Sequence, residues 1–241
     1  MRNKDLGFNL SQVIVLHLPK DANANKEIIK NKLREHPNVI TTSYSQQIPG
    51  SIRNTSAYVD GDINEPYRVQ FVDPDYASLL EFEFLDGRNH NWDILSDKVN
   101  AWVINETAMK RFQIPRDSVI GYQLKGWGGE PKTVIGLMKD FHFNALQQEI
   151  IPLVFIWYDW APKLNIKVNP ANLPETIHYI QKVWQEFVPG HPFNYVFMDN
   201  AFNEQYKIEE KLSTIFTIFA FIAVLIAAIG MYGLASYMAE Q

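Results

Sequence analysis

QVIVLHLPKDANANKEIIKNKLREH, residues 12–36, changes its hydrophobic period in the middle. Its first eight residues form a short, continuous apolar run with β-branched side chains, the pattern of a strand covered on both faces. From Lys26 onward, Ile28, Ile29 and Leu33 make a narrow apolar stripe at helical spacing. Pro37 stops that helix, because it lacks an N–H and crowds the preceding turn. Residues 38–49 then alternate loosely as a second strand, so 12–50 reads as one β-α-β unit.

The same order returns further along. PLVFIWYD (152–159) is an apolar strand and LNIKVN (164–169) alternates. ETIHYIQKVWQEF (175–187) places Ile177, Ile180, Val183, Trp184 and Phe187 on one helical face, and PFNYVFMD (192–199) supplies another strand. Between these units, residues 51–150 are short strand candidates divided by turn signals: SAYVDGD, YRVQFVDPDY, FEFLDGR, AWVIN and KTVIGLMKDFHF. Short helices are expected at 73–80 and 105–112, the second with Asn105 as N-cap and Lys110 and Arg111 in its last turn. The expected fold class is α+β, two β-α-β halves (12–50 and 151–199) with 51–150 as an inserted β-rich subdomain.

LSTIFTIFAFIAVLIAAIGMYGLASYMA, residues 212–239, runs for about 28 residues without a charge. About 20 apolar residues suffice to cross a bilayer as a helix, so this run reads as a transmembrane helix. Its position excludes a cleaved N-terminal signal. The chain stops at Gln241, just past the run, as expected for a piece of a larger membrane protein. Behind it, nothing breaks a helical pattern back to Asp199, which makes 200–211 a stalk continuous with the membrane helix. At ~1.5 Å per residue such a rod is on the order of 60 Å long, about twice what the bilayer core requires. Phe202, Tyr206 and Leu212 are expected to pack the stalk on the domain, while Glu204, Lys207, Glu209, Glu210 and Lys211 stay in water. A continuous helix transmits displacement, which a flexible linker does not.

The rest of the chain is long enough for its own core, and its 6 Trp, 11 Tyr and 15 Phe argue against disorder. A net charge of −5 with no basic cluster speaks against nucleic acid. The absence of cysteine removes disulfides, thiolate zinc sites and Cys nucleophiles together.

No residue group carries a catalytic signature. GYQLKGWGGEPKTVIG (121–136) lacks the Gly-Lys-Ser/Thr ending of a phosphate loop and reads as a glycine-rich turn. Asp140 and His142 would share one strand face, and His90 lies near Asp93, but two ligands do not close a metal site. Asp73 and Asp75 offer paired carboxylates, yet Asp-Pro-Asp is an ordinary helix-starting turn. No serine has the G-x-S-x-G context of a hydrolase nucleophile. Trp157, Tyr158 and Trp160 fit three places: the core, the lipid headgroup level, or a surface that meets a partner. Ala223, Ala227 and Gly230 form a small-residue track on which a second helix can pack closely, and Gly233 allows a bend.

LGF (6–8) with VIVLHLP, VINETAMKRF (103–112), VIGLMKDFHFNALQQEIIPLVF (134–155), PFNYVFMDNAFNEQYKIEEKLSTIFTIFA (192–220) and GMYGLASYMAEQ (230–241) together resemble the FtsX-like, MacB-like permeases of ABC transporters in the form seen in Bacteroidetes. The resemblance spans nearly the whole chain in order. It implies a porter-like domain with a β-rich insertion, and residues 1–11 as a connector from a preceding transmembrane helix. It also implies a bacterial inner-membrane location, with residues 1–211 in the periplasm. The implied partners are a separate cytoplasmic ATPase that binds the ATP, a second permease copy or homologue, and a periplasmic protein. The chain itself would need no cofactor and no metal and would not be catalytic. Its expected role is to couple ATP hydrolysis to periplasmic movement, for export or for control of a partner. The alternative is the extracytoplasmic ligand-sensing domain of a membrane receptor, which also joins an α/β domain to a membrane helix and predicts a ligand pocket. A membrane-anchored hydrolase is a third reading, without a constellation to support it.

Overall fold

In a computed structural model, residues 7–125, 130–142, 149–159 and 161–239 are described. The first β-α-β unit comprises β1 (Val13–His17), a 3-10 turn at Lys20–Asn25, α1 (Lys26–Arg34) and β2 (Val39–Ser45). There follow β3 (Thr55–Asp60), β4 (Ile63–Val72), α2 (Tyr76–Leu79), β5 (Phe84–Gly87), α3 (Leu95–Asn100), β6 (Ala101–Asn105), α4 (Glu106–Arg111), β7 (Gln123–Lys125) and β8 (Pro131–Met138). The chain returns through β9 (Leu153–Trp157), β10 (Lys163–Val168), α5 (Leu173–Phe187), β11 (Tyr195–Phe197) and α6 (Met198–Ala239).

All the described strands join one mixed sheet in the order β11-β1-β10-β2-β4-β9-β6-β8-β5, with β3 added to β4 and β7 to β8. β11, β1, β10 and β2 are antiparallel neighbours. α1 and α5 cover one face of that half. Ile29 and Leu33 from α1 and Ile180, Val183 and Trp184 from α5 pack with Ile14, Leu16, Tyr44, Leu164 and Ile166. Burying an Ile or Leu side chain contributes about 1.5–3 kcal/mol, so this cluster accounts for much of the half's stability. The inserted half has its own cluster, in which Tyr58, Tyr67, Trp102 and Phe112 pack around Ile104, Leu124, Leu137 and Val154.

Two local differences from the sequence reading have plain causes. PLVFIWYD, expected to open the second half, forms β9, which pairs in parallel with β4 and antiparallel with β6. Its side chains are apolar on both faces, so it suits an interior strand of the inserted sheet, and β10 opens the second β-α-β unit instead. β8 ends at Met138, so Asp140 and His142 do not share a strand face. The Asp140 carboxylate accepts hydrogen bonds from the backbone N–H and the hydroxyl of Thr107 (2.9 and 2.8 Å), so it is committed to the first turn of α4. The N-cap reading of Asn105 agrees with the structure: its side-chain oxygen accepts from the Ala108 N–H at 3.0 Å.

The chain divides into two compact units, one ending at Phe202 and the other beginning at Asn203. α6 is helical from Met198 to Ala239; Met198 and Phe202 are buried in the first unit. Side chains at 205–214, 225, 232–237 and 239 lie outside the described residues, so the packing expected of Tyr206 and Leu212 does too. Among the described residues, no helix is long and apolar enough to cross a membrane. The described side chains of the second unit nevertheless include a row of exposed apolar groups: Ile215, Phe216, Ile218, Phe219, Phe221, Ile222 and Val224.

Candidate functional site

Where β2 meets β4, the two sheet halves share a single register pair, Ser45 with Val72. The chain leaving β4 here is Asp73-Pro74-Asp75, and it runs beneath α1. Lys30, on α1, is 1 % exposed, and its ammonium is paired with the carboxylate of Asp73 and with that of Asp75 at 2.5 Å. Asp75 also accepts from Arg34 Nη2 at 2.8 Å and from the indole N–H of Trp92 at 3.0 Å. The Trp92 ring lies 4.5 Å from Lys30 Nζ, a cation–π contact that closes the cluster. Two further residues hold the loop that carries Trp92. Asn89 Nδ2 donates to Pro74 O at 2.6 Å, and Arg88 forks onto the buried carboxylate of Asp97.

Burial raises the pKa of Asp73 to about 6, against the pull of the adjacent Lys30. Asp75 is less deeply placed. Burial pushes its pKa up, but Lys30 and Arg34 outweigh that and hold it below the usual carboxylate value. Burial also raises the Tyr44 phenol, whose hydroxyl donates to Lys26 O at 2.7 Å beside the cluster.

The other end of this segment is held by a second buried lysine. Lys167 of β10 lies on the sheet face opposite α1, and its ammonium donates to Leu79 O at 3.2 Å and pairs with Glu81 at 2.5 Å. Glu81 also accepts from Asn9 Nδ2 at 3.0 Å. Asp73–Glu81 is therefore a strap between the halves, tied by Lys30 on one face and Lys167 on the other.

Beside it lies a cleft of about 390 Å³ lined by Asn23, Lys98, Val99, Trp157, Tyr158 and Asp159. Asp159 bridges the halves: its carbonyl accepts from Lys26 at 2.5 Å and its carboxylate pairs with Lys98. Trp157 is buried and meets Trp92 edge-on at 5.2 Å between ring centroids, so it belongs to the core beneath the cluster. Tyr158 is 50 % exposed and lines the cleft with exposed Val99 of α3, and Leu95 is exposed on the same helix. Trp160 lies outside the described residues, and Gly233 lies on α6 with its surroundings outside them. Ala223, Ala227 and Gly230 are exposed along α6, with nothing within 4 Å of a Cβ built at Gly230.

The paired carboxylates of the Asp-Pro-Asp turn thus hold a lysine rather than face a substrate. The His/carboxylate pairs separate as well. His90 is buried with Nε2 3.2 Å from Ala101 O, whereas Asp93 is exposed, and no group of three or more potential metal ligands occurs among the described residues. Sequence reasoning missed Lys30 and Lys167. Of the expected stripe, Ile29 and Leu33 are buried, but Ile28 is 53 % exposed and Lys30 takes its place on the buried face. LNIKVN alternates apolar and polar residues, yet both faces of β10 are covered, so Lys167 is buried. No local signal marks either lysine, because the partners lie 43 and 86 residues away along the chain.

Comparison with curated proteins finds no match. Among solved structures, the periplasmic region of MacB from Actinobacillus actinomycetemcomitans is similar at 12% identity, with a TM-score of 0.57, covering 86% of this chain and 97% of that one. The extracellular domain of the noncanonic ABC-type transporter YknZ from Gram-positive bacteria is similar at 14% identity, with a TM-score of 0.52, covering 76% and 97%. At these identities the likeness establishes the fold, the mixed α+β porter-like architecture expected above. The family model described as MacB-like periplasmic core domain matches residues 17–181, more than half of the sequence. The chain therefore belongs to the MacB-like periplasmic core domain family.

Proposed function

We propose that this chain is the non-catalytic periplasmic part of an ABC-type permease, and that α6 carries movement between the bilayer and the folded domain. One observation carries the reading. α6 begins inside the domain, at buried Met198 and Phe202, and continues to Ala239 through a row of exposed Ile, Phe and Val side chains. Soluble proteins rarely expose so much contiguous apolar surface, and lipid is the solvent that suits it. Residues 212–239 are accordingly proposed to cross the inner membrane, with residues 1–211 on the periplasmic side. A separate cytoplasmic ATPase would hydrolyse ATP and repack the membrane helices. A second permease copy would approach along Ala223, Ala227, Gly230 and Gly233, where small side chains permit close helix contact. A periplasmic partner would meet the exposed side chains of Tyr158, Leu95 and Val99. Export of a substrate and control of that partner are both outputs such a device can drive.

The test is to reconstitute the complete permease with its ATPase and insert a flexible glycine run between Tyr206 and Lys211. Loss of ATP-dependent transport with retained ATP hydrolysis is the expected result. Transport at the unmodified rate would overturn the coupling role of α6.

A further inference from the structure

Every junction on the path of the sheet shares at least three register pairs except β2 with β4, which shares Ser45 and Val72 alone. Two backbone bonds flank that pair, Gln46 N–H to Phe71 O at 2.9 Å and Asp73 N–H to Tyr44 O at 3.0 Å. The apolar clusters of the two halves have no residue in common. A sheet so narrowly joined, with a separate apolar cluster under the helices of each half, has the construction of a hinge.

We propose that the Lys30–Asp73–Asp75 cluster is a latch, whose release lets the half built on α1 and α5 rotate against the half built on β4, β9, β6 and β8. The pivot is the opposite face of the sheet. There Phe8, Tyr76, Phe82, Phe141 and Phe155 form a chain of ring contacts, with Phe82 and Phe141 4.4 Å apart and Tyr76 and Phe155 5.7 Å apart. Lys167 ties Leu79 and Glu81 on that same face, since Lys167 and Asn165 alternate with Leu164, Ile166 and Val168 of the helix-covered core. One face of the strap is therefore held by packing that resists separation. The other is held by charges, which lose most of their grip once water enters. Lys30 contacts both carboxylates of the strap and the Trp92 ring, so its withdrawal removes three contacts at once and leaves the Arg34–Asp75 pair to hold the strap to α1. The inference rests on sheet geometry and does not depend on the transporter reading.

The absence of native cysteine allows clean spin-label pairs. In the full chain purified in detergent, Ile28→Cys with Val99→Cys spans the latch, while Val59→Cys with Leu95→Cys lies within the inserted half; all four positions are exposed. On Lys30→Met, the spanning distance distribution from electron–electron resonance is expected to broaden about twofold, with the reference pair unchanged. A folded Lys30→Met chain whose spanning distribution superimposes on the wild type would overturn the proposal, and so would equal broadening of both pairs. Should Lys30→Met fail to fold, Arg34→Gln with Trp92→Leu removes two outer partners of Asp75 and leaves the lysine. The same distribution must then broaden in part, and an unchanged one counts against the latch.

Discussion

Lys30 places its ammonium between two carboxylates and against an indole, almost without access to water. Removing one partner of a buried ion pair strands the other, at a cost of about 3–5 kcal/mol. Lys30→Met is therefore expected to lower the unfolding free energy by about that much at pH 7, measured by urea denaturation, and Lys30→Met/Asp73→Leu to recover most of it. Asp73 adds a pH dependence. Its folded pKa, about 6, lies above the ordinary 3.8, so the folded chain binds this proton more tightly than the unfolded chain does. The resulting contribution to stability is fully present below pH 3.8 and is lost as pH rises through about 6. Asp75 runs the other way. Its contribution is present above the ordinary value and is lost as pH falls through its lower folded one. The groups around Asp73 are Lys30 and Arg34 from α1, Tyr44 from β2, Asp75 from its own segment and Trp92 from the loop. A carboxyl resonance of Asp73 titrating near pH 6 by NMR is expected, and one titrating near 4 would remove burial as the dominant influence.

At the scale of elements, Asn105 performs two tasks. Its side-chain oxygen accepts from Ala108 N–H and from Leu153 N–H at 2.9 Å, and its amide donates to Ile151 O at 3.2 Å, so it caps α4 and pins the start of β9. Asn105→Ala loses the cap and leaves buried donors unpaired; a loss of about 2–4 kcal/mol is expected by thermal or urea unfolding. Gly87 and Gly136 face each other across β5 and β8, and a Cβ on Gly136 would stand 2.2 Å from Arg88 O. Gly136→Ala is expected to part the strands, seen as faster hydrogen exchange at the Arg88 amide, which bonds Ile135 O at 2.9 Å in the native chain. The cap was legible in the sequence because its chemistry is local, Asn105 standing next to the turn that it completes. So was the β1-α1-β2 unit, where the period changes between neighbouring stretches. The partners of β9 were not, because an apolar run specifies burial on both faces and says nothing of which strands supply it. Lys30 escaped for the same kind of reason: its charge looks like solvated surface until a strap 43 residues away comes beneath it.

Over the whole molecule, the order of strand, helix and strand near both ends was readable, and with it the α+β class. The seam between the halves was not, since one register pair in place of several leaves no trace in composition. The uncharged stretch at 212–239 made the membrane reading available from residues alone. The central claim is that a periplasmic domain is carried on a helix that crosses the inner membrane. Its most direct test uses single cysteines in a chain that has none. Ile28→Cys and Met238→Cys, both exposed, are treated in intact cells with a membrane-impermeant maleimide after the outer membrane alone has been opened. Labelling at 28 without lysis, and at 238 only after the inner membrane is disrupted, is the predicted result. Equal labelling of both positions before lysis, or protection of position 28, would contradict it.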